Sequence, residues 1–277
     1  MNRSARLVTV LAVAAALLSI GGCKKLQARD QLNKGVQAYK GNHPEKAIEF
    51  FKNAVSLDSN LEVAKLYLAT ALMQQYVSGM DTPENNAYAT QAIEQYKEVL
   101  RDDPKNITAL KGIASLYLNM KKFNDSAEYY KKAIDADPND PEAYYSVGVI
   151  DWTAAYKDIA DRKAKVGLGV EDQAKGKQFC DDVKAADAPR IDEGLKMLQT
   201  AMEKRQDYDD AMIYTNLLYH RKADTECGDP DAYKADLKAA NDWSDKAMAA
   251  RKKKFDEAAK KNNGGIVLDQ PKGSTKN

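Results

Sequence analysis

Between Ile107 and Asp140 the apolar positions fall three and four apart in two short runs, first Ala109, Ile113, Ala114, Leu116 and Tyr117, then Ala127, Tyr130, Ala133 and Ile134. That is the period of two amphipathic helices, each with one buried face. Two similar stops frame the pair, Asp103-Pro104-Lys105-Asn106 and Asp137-Pro138-Asn139-Asp140, with their prolines 34 residues apart. Proline lacks a backbone N–H and pushes its predecessor out of the α region, so each Asp-Pro is expected to end a helix. A fixed period of this length is the signature of a repeat architecture.

The pattern recurs on both sides. Residues 28–61 place Gly35, Ala47, Phe51 and Ala54 in the same phase, with Ser59 where the proline would stand. Residues 62–106 give Ala69, Ala92, Tyr96, Val99 and Pro104, with a loop insertion expected around Ser78 to Ala87. From Pro141 a fourth hairpin opens with Ala143, Tyr144, Val147 and Gly148, while its second helix, with Gly194, Leu198 and Ala201, follows only after a long inserted segment, 154–188. A fifth pair spans Ala211 to His220 and Ala232 to about Lys261. One hairpin cannot bury its own apolar face, so an all-α solenoid of about five stacked helix pairs is the expected fold class.

Small residues at Ala114, Ser126 and Ala133, the aromatic Tyr130 between them, and Pro138 at the end make this repeat resemble the tetratricopeptide repeat. The resemblance divides the chain into regular repeats over 28–148 and divergent repeats with the inserted segment over 149–261, while 262–277, with paired glycines, Pro271 and no periodicity, is expected to be a disordered tail. Tetratricopeptide domains are, as a family, binding scaffolds whose first helices line a concave groove. Carried over by position, the resemblance places Tyr39, Lys40, Leu66, Thr70, Met73, Gln74, Lys111, Ser115, Leu118, Asn119, Tyr145, Val149 and Trp152 in that groove. The family's peptide-carboxylate clamp of Lys and Asn is not reproduced, since Lys111 matches one basic position in one repeat. An amphipathic helix or an extended apolar peptide is therefore the expected ligand. Tyr145 and Trp152, seven residues apart on one helix face, are expected to form an exposed aromatic pair.

The N-terminus reads as an address. Arg3 and Arg6 precede an apolar run from Leu7 to Ile20, too short to span a bilayer comfortably. The run ends in Ile20-Gly21-Gly22-Cys23, which resembles the bacterial lipobox. The resemblance implies a signal peptide over 1–22, acylation of Cys23 and a short tether over 23–27. Lys24 is not the Asp that usually retains a lipoprotein on the inner membrane, so the periplasmic face of the outer membrane is the expected location.

Charge and composition narrow the chemistry. Lys plus Arg number 42 against 41 Asp plus Glu, and this balance gives no electrostatic reason to expect a nucleic acid partner. Two histidines, His43 and His220, and three cysteines are too few soft ligands for a metal centre. With Cys23 acylated, Cys180 and Cys227 remain as an even pair in an oxidising compartment, which points to a disulfide, two buried thiols being the alternative. Gly167-Leu168-Gly169 lacks the surroundings of a phosphate loop and reads as the turn that closes a lengthened helix. The basic run Arg251-Lys252-Lys253-Lys254 could dock on acidic neighbours or on anionic head groups, or simply solubilise the end of the array. The expected function is a lipid-anchored periplasmic scaffold that takes an envelope protein or peptide segment in its groove, with no enzymatic activity and no cofactor. The alternative is a solute-binding or enzymatic domain with its site in 154–188, a segment in which no convergent acids, bases or cofactor loop stand.

Overall fold

The computed structural model describes residues 23–174 and 176–263, and these form helices joined by short turns. The expected signal peptide, 1–22, lies outside the described residues, as does the expected tail beyond Asn263. In chain order the helices are α1 (23–40), α2 (Pro44–Leu57), α3 (Glu62–Gln75), α4 (Pro83–Asp102), α5 (Ile107–Asn119), α6 (Phe123–Ala136), α7 (Pro141–Lys165), α8 (Lys177–Lys204), α9 (Asp209–Thr225) and α10 (Pro230–Asn263). The chain divides at Pro138 and Asn139 into two compact units, α1–α6 and α7–α10. No described helix is long and apolar enough to cross a membrane.

Local chemistry sets the helix ends. α4 and α6 stop one residue before Asp103-Pro104 and Asp137-Pro138. The next helices begin under side-chain caps: Asn106 accepts from the Ala109 N–H at 3.1 Å, and Asp140 from the Glu142 N–H at 3.0 Å. Proline opens α2, α4, α7 and α10, where its missing N–H costs no bond. The insertion between α3 and α4 is a loop knotted around Asn85. The Asn85 side chain donates to the Val77 and Met80 carbonyls at 2.9 and 2.6 Å and accepts from the Val77 N–H at 2.8 Å.

In the first unit each helix packs on the next around Phe51, Leu72, Tyr96, Ile113 and Leu116. The small repeat positions are the points of closest approach. Ser126 is fully buried and donates its hydroxyl to the Ala114 carbonyl at 2.7 Å. Gly112 has no room for a side chain, because a Cβ there would lie 2.4 Å from the Tyr96 ring. The second unit repeats the device at greater length. At Gly148 a Cβ would lie 2.5 Å from Leu198, and α7 and α8 pack around Ile159, Val183, Ile191 and Leu198.

Three expectations change. Residues 23–27 are the first turns of α1 rather than a tether, and the last helix reaches Asn263 rather than ending near Lys261. Segment 154–188 is not an excursion. α7 simply continues through it to Lys165, and α8 begins at Lys177. The reason is composition: 154–165 is mostly Ala, Lys, Arg and Asp, good or tolerated helix formers, and Ala155 and Ile159 of α7 bury against the same core as Val183 of α8.

Candidate partner-binding groove

In the first unit the groove positions lie on α1, α3 and α5. Tyr39, Leu66, Met73, Lys111 and Leu118 are half-buried and Asn119 is exposed, so each keeps part of its surface toward solvent. Tyr39 of α1 hydrogen-bonds Gln74 of α3, and burial outweighs that bond to push the phenol above its usual range. The Thr70 hydroxyl donates to the Leu66 carbonyl at 2.8 Å, which leaves its oxygen to accept from the Tyr96 hydroxyl 3.1 Å away. Tyr96 is thereby held over Gly112. At the far end of α5, Ser78 donates to the Asn119 carbonyl at 2.8 Å.

In the second unit Tyr145 and Trp152 are half-buried, not an exposed pair. Tyr214 of α9 contacts both, its ring edge-on at 5.6 Å from Tyr145 and 5.3 Å from Trp152. The run continues to Tyr208, 5.1 Å from Tyr145, and to Tyr156, 5.4 Å from Trp152. Such a seam welds the first helix of one hairpin to the first helix of the next. Burial, reinforced by Tyr214 and Asp210, pushes the Tyr145 phenol up. Tyr208 donates to Glu142 at 2.8 Å, and Arg205 reaches the same carboxylate at 2.5 Å. Tyr156, Tyr208 and Tyr214 were not among the residues singled out from sequence. The signal available was the excess of Tyr over Phe, fifteen to five, since a tyrosine can bury its ring and keep a hydroxyl partner.

Cys180 and Cys227 are joined by a disulfide that ties the first turn of α8 to the turn between α9 and α10. Cys23 is a free, exposed cysteine at the start of α1. Arg251 pairs with Asp209 and Asp210 at 2.9 and 3.2 Å, Lys253 with Asp207 at 2.5 Å, and Lys254 with Asp209. The basic run of α10 thus docks on the acidic start of α9 and on Asp207 just before it, the first of the options its sequence left open. Among the described residues no group of His, Cys, Asp and Glu is arranged to hold a metal ion.

Two buried charge clusters lie in the second unit, one between α7 and α9 and one between α7 and α8. In one, Lys163 donates to Asp224 at 2.6 Å and to the Val170 carbonyl at 2.8 Å, while Arg221 faces Asp224 at 3.2 Å. In the other, Asp187 of α8 sits buried beside Asp158 and Arg162 of α7. Burial, with the Asp158 carboxylate beside it, pushes Asp187 up to about 7. Burial also works against Asp158, but hydrogen bonds with Arg162 and Asp187 outweigh it and hold that carboxyl below its usual range. A folded-state value above the unfolded value of about 3.9 contributes stability that is complete below about pH 3.9 and lost as pH rises through about 7. The protein is therefore expected to melt lower at about pH 8 than at about pH 6, with a slope of at most about 1.4 kcal/mol per pH unit from this group. Asp187→Asn should flatten that dependence, and calorimetry at the two pH values checks it.

Residues 89–147 match the tetratricopeptide repeat family model. Tetratricopeptide repeat protein 8 of Caenorhabditis elegans is 28% identical over 106 residues, which are 38% of this chain. The chain spans only 20% of that relative's length. Among solved structures, MamA from Desulfovibrio magneticus RS-1 superposes with a TM-score of 0.56 at 15% identity, covering 82% of this chain and 96% of that one. A second MamA structure gives 0.57 at 14% identity, covering 83% and 94%. This is the tetratricopeptide fold. At these identities the likeness speaks for the arrangement of helices alone, and it extends beyond the segment that the family model matches. Among the groove positions named from sequence, Lys111, Ser115, Leu118, Asn119 and Tyr145 fall inside 89–147, on α5 and the start of α7.

Proposed function

We propose that the chain is a lipid-anchored scaffold at the periplasmic face of the outer membrane, where its tetratricopeptide groove holds an envelope protein or peptide segment. The observation that carries the anchor is Ile20-Gly21-Gly22-Cys23 behind Arg3, Arg6 and an apolar run, with Cys23 exposed at the first turn of α1. A diacylglyceryl cysteine is a stable anchor, because each buried methylene contributes ~0.8 kcal/mol. The disulfide supports an oxidising compartment. A groove of half-buried side chains on successive first helices supports recognition of a protein segment rather than turnover of a substrate.

Cys23→Ser is expected to leave the outer-membrane fraction, either as soluble protein or as uncleaved precursor. Cell fractionation with immunoblotting reads this directly, and a processed Cys23→Ser protein that stays in the outer membrane would refute the anchor. For the groove, crosslinking in intact cells followed by mass spectrometry should return an envelope protein linked through α3 or α5. Crosslinks confined to other faces would count against the groove.

A further inference from the structure

We propose that the cleft between α7 and α9 in the second unit is a binding site for a carboxylate carried on an apolar body, and that Glu171 of the chain itself holds it closed. The cleft is about 270 Å³, room for roughly one side chain. It is lined by Trp152 and Tyr156 from α7, by Asn216, Leu217, His220 and Arg221 from α9, and by Glu171. The inference rests on this geometry and needs neither the membrane anchor nor the scaffold reading.

The charges explain why a carboxylate belongs there. Two cations, Lys163 and Arg221, are buried, with side chains 1% and 5% exposed, and the core supplies them with one anion, Asp224. Lys163 takes the closer contact with that anion, at 2.6 Å against 3.2 Å for Arg221. The Arg221 contact with Asp224 runs from Nη1 to Oδ2, a buried ion pair without hydrogen-bond geometry. The second anion is Glu171, whose side chain is 70% exposed on the loop after α7. It meets Arg221 through one nitrogen only, Nη2, at 3.3 and 3.2 Å from its two oxygens. A guanidinium and a carboxylate that were built for each other make two parallel bonds of about 2.7–2.9 Å. Glu171 thus neutralises Arg221 without the fork geometry and leaves the aromatic wall of the cleft unfilled. A carboxylate borne on a phenyl or branched alkyl group would neutralise the same guanidinium and also bury that group against Trp152, Tyr156 and Leu217. Because Glu171 competes from within the chain, the apparent affinity is the intrinsic one reduced by the fraction of molecules in which Glu171 has let go.

The test uses 3-phenylpropionate, its uncharged amide, and the tripeptide Ala-Ala-Phe with a free or an amidated C-terminus. The readout is the two indole N–H resonances of the folded protein: Trp152 lines the cleft, while Trp243 on α10 does not and serves as internal reference. Saturable shifts of the Trp152 resonance alone are expected with the acids and not with the amides. Glu171→Gln should bind about tenfold tighter, and Arg221→Gln should lose binding. Binding of the free acid alone would assign the site to small monocarboxylates, and binding of the tripeptide acid as well would assign it to a peptide C-terminus. Arg221 is buried and its replacement could unfold the unit, so Glu171→Gln, on an exposed loop, is the deciding variant. If folded Glu171→Gln protein shows no Trp152 shift, binds no tighter than the parent, or binds the amides equally well, the proposal is wrong.

Discussion

Breaking the Cys180–Cys227 bond is expected to lower the stability of the second unit by about 4 kcal/mol, the chain entropy released when a loop of this length opens in the unfolded state. The two cysteines are 47 residues apart in sequence, and the loop they close holds most of α8 and all of α9. Cys180→Ser and Cys227→Ser should therefore cost the same, and the double variant hardly more, because all three delete one bond. Urea unfolding of the parent with and without reductant, beside the three variants, checks the expectation. A large difference between the two single variants would mean that packing around the buried Cys180, rather than the cross-link, carries the effect. A reductant that leaves the midpoint unmoved while both thiols become alkylable would show that the bond contributes nothing.

Asp224→Ala is expected to be the most damaging single charge deletion, costing about 3–5 kcal/mol, the range for breaking a buried ion pair by removing one partner. The alanine would leave Lys163 and Arg221 buried together, with Glu171 on the surface as the remaining carboxylate. Burial already pushes Asp224 above the usual carboxylate range, against the pull of Arg221 and Lys163, so the site is dry enough for a missing charge to matter. Lys163→Met should cost less, because Asp224 keeps Arg221 at 3.2 Å. Equilibrium unfolding of the two variants separates these cases. A loss below about 1 kcal/mol for Asp224→Ala would mean that water reaches the cluster and screens it.

The local pattern of the regular repeats is legible in the sequence. The 34-residue phase of Asp-Pro stops, the small positions Ala114, Ser126 and Ala133, and the three-and-four spacing of apolar residues are properties of one hairpin and its neighbour. They led to an all-α repeat fold because helix period, capping and proline sterics act within a few residues. Tertiary packing overrules the local cue elsewhere. A departure from the 34-residue phase after Trp152 looked like an inserted excursion, yet α7 and α8 are long helices packed along each other. α8 even runs through Pro189, a residue that usually marks a first turn. Likewise the spacing of Tyr145 and Trp152 told that they share a helix face, and could not tell that Tyr214 would cover it.

The sequence by itself therefore determined the all-α repeat class and the hairpins of the regular repeats, since each rests on contacts between residues close along the chain. The tertiary structure alone decided which distant groups meet: Lys163 with Asp224 across 61 residues, Arg221 with Glu171 across 50, and the basic run of α10 with Asp207, Asp209 and Asp210. The physical reason is that a charge or an aromatic ring at the surface of a lone helix has no preferred partner. Stacking the hairpins removes water from some of these groups, and the desolvation makes a specific partner worth several kcal/mol.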